Sequence, residues 1–195
     1  ILMKKIGLYF GSFNPIHKGH LSLGNYFSQQ TSLDEVWFVV SPQNPFKANE
    51  VLLEVQHRFE MVRLALENQS RLKVIDVEFL LPTPNYTIDT LEYFYENHPN
   101  DQFVLLMGED NLIHFDQWKE YRRILDLVQI YVYPRTHEIG FPESLLHHEK
   151  IQLVNAPKLD FASKNIRKIL QEGESVKSLM PHASWVYLQK NSFYK

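Results

Sequence analysis

The stretch Tyr9-Phe10-Gly11-Ser12-Phe13-Asn14-Pro15-Ile16-His17-Lys18-Gly19-His20 decides the fold. It continues an apolar run, Ile6 to Phe10, that reads as a buried strand. The chain then turns through Gly11 and Pro15 and opens a helix carrying His17 and His20. Strand, glycine turn and helix start is a recurring way for an α/β sheet to hold a phosphate. The first backbone N–H groups of a helix have no partner within it, and its dipole places partial positive charge there. Two histidines three residues apart share one face of that first turn, and Lys18 adds a cation beside them. The arrangement suits a polyphosphate. A zinc site would need three or four protein ligands, and a third is not evident near this pair.

Working outward, apolar runs alternate with amphipathic ones, the pattern of a parallel α/β sheet flanked by helices. Strands are expected at Lys5 to Phe10, Glu35 to Val40, Leu72 to Val77, Gln102 to Met107, Val128 to Tyr133 and Ile151 to Val154. Helices are expected at His17 to Gln30, Val55 to Asn68, Thr87 to Asn97, Trp118 to Leu127, Lys164 to Glu172 and His182 to Gln189. A polar, proline-marked loop covers Ser41 to Lys47, and residues 137–150 are the least regular. His137, His147 and His148 read there as solvated loop residues. With neither repeat nor linker in sight, residues 1–195 read as one domain whose helical C-terminal part begins near 160. Gly11, Ser41, Gly108 and Pro134 each follow a strand, so their loops should meet on one edge of the sheet.

Composition bounds the function. Of 195 residues, 44% are apolar and 22% charged, which fits a soluble domain. A net charge of −3 provides no basic field for nucleic acid. The chain has no cysteine, which removes disulfides, thiolate metal sites and a cysteine nucleophile, and agrees with a cytoplasmic protein. No apolar run is long enough to span a bilayer. Ile1 to Lys5 reaches the first strand too quickly for a signal peptide, and Met3 reads as the natural start after Ile1 and Leu2.

The opening string resembles the (G/S/T)xFxPxHxGH signature of the nucleotidyltransferases with a Rossmann-like fold. Further segments narrow the branch. Asn85-Tyr86-Thr87-Ile88-Asp89-Thr90-Leu91 is similar to the SYTxDTL element of bacterial nicotinate mononucleotide adenylyltransferases, with Asn85 for serine. Met107-Gly108-Glu109-Asp110-Asn111-Leu112 followed by Trp118 is similar to their MGxDxL…W element. Pro42 to Lys47 resembles their proline-rich loop, Arg58 with Met61 their RxxM, and Trp185 to Tyr194 their VxxYIxxxxLY ending. Phe161 to Arg167 matches their ISSTxxR element in part: Ser163 and Arg167 stand in place, while Ala162 and Lys164 replace hydroxyl residues.

This resemblance implies adenylyl transfer from ATP to nicotinate mononucleotide, giving deamido-NAD and pyrophosphate, with Mg²⁺ carried by ATP. It implies His17 and His20 as the catalytic pair. Gly11, Ser12, Phe13, Lys18, Ser163 and Arg167 would complete the ATP site. Asn44, Lys47, Tyr86, Thr87, Gly108, Asp110, Trp118 and Arg135 would serve the acceptor. In that reading the nicotinate carboxylate meets the Tyr86-Thr87 pair and the ring stacks on Trp118. Nicotinamide mononucleotide or phosphopantetheine remains an alternative acceptor. A nucleotide-binding protein without turnover is a further alternative, and the oligomeric state stays open, a homo-oligomer included.

Overall fold

The computed structural model describes residues 2–45, 51–135, 142–158 and 162–195. Its framework is a six-stranded, wholly parallel sheet in the order β3-β2-β1-β4-β5-β6. The strands are β1 (Lys5–Gly11), β2 (Glu35–Val40), β3 (Leu72–Ile75), β4 (Gln102–Gly108), β5 (Gln129–Tyr133) and β6 (Ile151–Leu153). The strand order reverses between β1 and β4, which pair side by side. In open α/β sheets that reversal opens a crevice at the C-terminal strand ends.

Both faces of the sheet are covered, so the strands read as nearly continuous apolar runs. Successive residues still part between the two faces. Val36, Phe38 and Val40 of β2 join one core, and Trp37 and Val39 the other. Val104 and Leu106 of β4 separate in the same way from Phe103, Leu105 and Met107. The first core takes in residues of α1 (Lys18–Gln30), α2 (Val55–Leu66), α7 (Ser163–Gln171) and α8 (His182–Asn191). The second takes in Ile88, Leu91 and Phe94 of α3 (Thr87–Asn97) and Ile124 and Leu125 of α5 (Tyr121–Leu127).

Several boundaries differ from expectation. Val77 leaves the third strand for a short 3₁₀ turn, Val77–Phe79. Trp118 does not begin a helix. A four-residue helix, α4 (Glu109–Leu112), and a 3₁₀ turn, Phe115–Gln117, precede it, and α5 starts at Tyr121. The break comes from Glu120, whose φ of 50° lies in the left-handed region that a helix does not use. The irregular segment also holds a short helix, α6 (Glu143–Leu146). Among the described residues, no helix is long and apolar enough to cross a membrane.

Candidate active site

The β1–α1 turn gathers its chemistry through local bonds. His17 is the N-cap of α1 and is 2% exposed. Its Nδ1 accepts from the His20 backbone N–H at 3.4 Å, and the His17 backbone N–H donates to Nδ1 of His20 at 3.2 Å. This is a capping box built from two imidazoles, satisfying two otherwise unpaired N–H groups at the helix start. The rings stack at 3.6 Å between centroids. Because Nδ1 accepts in both rings, the bonding pattern assigns the remaining ring hydrogen of each to Nε2. Burial, joined by the Arg135 guanidinium, pulls the His17 imidazole from 6.5 to about 3, so it is neutral at physiological pH.

Phe13 shapes the same turn. Its φ of 44° is left-handed, its ring is buried, and it meets His20 edge-on at 5.0 Å. A Cβ on Gly11 would lie 2.9 Å from that ring, so only glycine leaves Phe13 where it is. Asn14 is a junction. Its Oδ1 accepts from the Tyr194 hydroxyl at 2.7 Å and from the Leu53 N–H at 3.2 Å. Its backbone carbonyl accepts from Arg167 at 2.7 Å, and the neighbouring Pro15 carbonyl accepts from the Ser163 hydroxyl at 2.9 Å. The start of α7 and the C-terminal residues are thereby tied to the histidine turn.

Beneath these loops lies Arg58, 1% exposed. Its guanidinium donates to the carbonyls of Ser12 (2.6 Å), Leu53 (2.7 Å), Ser41 (2.9 Å) and Pro42 (3.0 Å). The loops after β1 and β2 are clipped together by one cation.

Two concavities open at the C-terminal strand ends. The larger, about 940 Å³, is lined by His17, His20, Ser12, Arg135, Arg167 and Lys164, with Tyr9 and Tyr133 among its walls. Asp110 pairs there with Arg135 at 3.3 Å. Gly108 makes this pairing possible, since a Cβ there would collide with the Asp110 carboxylate. The smaller, about 440 Å³, is a slot between Pro45, Tyr86, Thr87, Trp118, Lys119 and Ile124. Asn44 lines both, so the two are contiguous. The cleft offers cations and N–H donors to phosphates, and the slot offers flat aromatic faces to a ring.

The Cytidylyltransferase-like family matches residues 8–179. The chain belongs to that family. A Flavobacterium johnsoniae protein described as "Probable nicotinate-nucleotide adenylyltransferase" is 44% identical over 191 residues, 98% of this chain and 99% of its own. Two solved structures of Plasmodium falciparum nicotinic acid mononucleotide adenylyltransferase superpose with TM-scores of 0.81 (complexed with NaAD) and 0.78 (complexed with APC). Each is 26% identical and covers 98% of this chain and 97% of the other.

Most residues expected for a nucleotidyltransferase site converge. Gly11, Ser12, Phe13, His17, His20, Ser163, Arg167 and Asp110 line the cleft, and Tyr86, Thr87 and Trp118 line the slot. Lys18 does not join them. It is exposed, because one step along a helix turns a side chain away from the face that His17 and His20 share. Arg135, expected on the acceptor side, lines the phosphate cleft next to Asp110. Ser163 and Arg167 also bond the Pro15 and Asn14 carbonyls, so they hold the histidine turn as well as facing the cleft. Lys47 lies outside the described residues. Sequence reasoning misses Tyr9 and Tyr133 as site residues, although each stands near the C-terminal end of a strand. It also misses Lys119, which is visible only once the 3₁₀ turn beside it is known.

Proposed function

We propose that this chain transfers the adenylyl group of ATP to nicotinate mononucleotide, releasing pyrophosphate and forming deamido-NAD. The observation that carries this reading is the junction of two sites. A phosphate cleft with two Nε2–H imidazoles runs into an aromatic slot sized for a flat ring. The names of the similar proteins, and the NaAD and APC bound to the Plasmodium enzyme, support it.

In this mechanism a phosphate oxygen of the mononucleotide attacks the α-phosphorus in line. The bond between Pα and the bridging oxygen breaks, and that oxygen leaves with pyrophosphate. The attacking phosphate is already an anion, so no strong base is needed, and catalysis consists of positioning and charge stabilisation. His17 and His20 donate Nε2–H bonds to the oxygens where charge develops. The capping box has already fixed their orientation, so little reorganisation accompanies the reaction. Arg167 and Lys164 serve the outer phosphates from the start of α7, and Arg135 and Asp110 line the same cleft. The substrate is Mg·ATP, the ion keeping phosphate oxygens and water as ligands.

The test is pyrophosphate release with Mg·ATP, comparing nicotinate mononucleotide and nicotinamide mononucleotide at matched concentration. Release with the nicotinate form, at several times the rate of the amide, is expected. Release only with phosphopantetheine, or none with any acceptor, would overturn the assignment.

A further inference from the structure

The aromatic slot contains a charged device that the adenylyl-transfer chemistry does not use. Asp89 stands in the first turn of α3, where a carboxylate is stabilised by the helix start. The same position places a negative charge beside Tyr86 and Thr87, and so beside any acid seated at that end of the slot. Lys119 answers it. Its ammonium donates to both oxygens of Asp89, at 2.8 and 3.0 Å, and lies 4.8 Å from the centre of the Tyr86 ring. Lys119 also lines the slot directly, next to Trp118. The rest of the lining carries no charge: Pro45, Trp118 and Ile124 are apolar, and Asn44, Asn85, Thr87 and Gln117 are neutral polar residues.

We propose that Lys119 is a specificity-determining residue: its ammonium, held over Tyr86 by Asp89, favours an anionic ring substituent over the neutral amide. The inference rests on the adenylyl-transfer reading and names how that site chooses its acceptor. Two substituents of nearly equal shape differ mainly by one negative charge. A fixed cation at the slot wall attracts the acid, and cancels the repulsion that Asp89 alone would exert on it. Both side chains are partly exposed, with 41% of Lys119 and 34% of Asp89 accessible, so the effect is screened and modest.

The experiment is the ratio of kcat/KM for nicotinate mononucleotide to that for nicotinamide mononucleotide, at saturating Mg·ATP. It is measured for the wild type, Lys119→Met, Lys119→Arg and Asp89→Asn. Lys119→Met should lower the ratio roughly fivefold, the scale of a partly screened ion pair. Lys119→Arg should keep it within about twofold, since the charge is retained. Asp89→Asn should raise it, because the ammonium is then no longer neutralised. Raising the salt from about 0.05 M to about 0.5 M should shrink the effect of Lys119→Met. A merely structural role would lower both substrates together and leave the ratio where it was. An unchanged ratio in Lys119→Met therefore overturns the inference, as does a ratio that falls equally in Lys119→Arg. Lys119→Gln gives the same comparison if the methionine variant does not fold. A wild type that uses neither pyridine nucleotide refutes the functional reading itself. One that uses the amide better refutes the nicotinate preference and the role given to Lys119, and leaves adenylyl transfer standing.

Discussion

Replacing Arg58 by methionine keeps an apolar stem of similar size and removes the guanidinium that ties the loops after β1 and β2. Arg58 donates to four backbone carbonyls, at 2.6 to 3.0 Å. Burial lowers its pKa to about 10, so it remains a cation at neutral pH. The bond to Ser41 is fully buried, while those to Ser12, Pro42 and Leu53 are only partly so. An orphaned buried carbonyl costs about 1–3 kcal/mol, and each hydrogen bond from a charged donor contributes about 1.5–3. Water re-bonds the shallower carbonyls, and relief of the desolvated charge returns part of the loss. The balance is a destabilisation of about 3 kcal/mol. In a chain of this size that lowers Tm by about 6–12 °C. Both substrate loops loosen, so KM should rise for ATP and for the acceptor together. Arg58→Lys retains the charge but not the planar fork, and should fall between wild type and Arg58→Met. The assay is a thermal melt by circular dichroism, followed by initial rates on the folded variant. A Tm within about 2 °C of wild type, with both KM values unchanged, would refute the clip.

Three further outcomes are expected. His20→Ala should lower kcat by roughly 10²-fold with a smaller change in KM, the scale of losing one donor to developing charge; a change confined to KM in steady-state rates would remove His20 from the transition state. His17 stays neutral in the folded chain down to about pH 3, whereas the unfolded chain takes up its proton near 6.5. Stability should therefore fall as pH drops from about 6.5 towards 4.5, by up to about 1.4 kcal/mol per unit, and denaturant titrations should show His17→Asn with a shallower slope. Gly11→Ala would place a methyl 2.9 Å from the Phe13 ring, which packs on His20. Overpacking of this kind costs about 1–3 kcal/mol, and kcat should fall with it; a variant as stable and as active as wild type would show that the ring can yield.

The strands are legible in the sequence because a parallel sheet covered on both faces writes itself as apolar runs, and Glu35 to Val40 and Gln102 to Met107 fall almost where expected. The histidine string is legible for a different reason: glycine, proline and two histidines at fixed spacing meet a demand of the turn, which the capping box explains. What escapes depends on tertiary placement. A left-handed Glu120 moves Trp118 out of a helix, and no residue type announces a positive φ there. Arg58 belongs to a recognisable motif, but its burial against four carbonyls cannot be read from a charge in a helix. Tyr194 stands 180 residues from Asn14 in sequence, so its bond to the histidine turn appears only when the chain is folded. Lys18 misleads through adjacency, since neighbours in sequence do not share a helix face.

The most direct test of the account is to follow label from ATP in the presence of nicotinate mononucleotide and Mg²⁺. With the α-phosphorus labelled, the account predicts that label enters the dinucleotide. With the γ-phosphorus labelled, it predicts that all label leaves as pyrophosphate. Label from the γ position in the acceptor, or α label recovered only as free AMP, would contradict it.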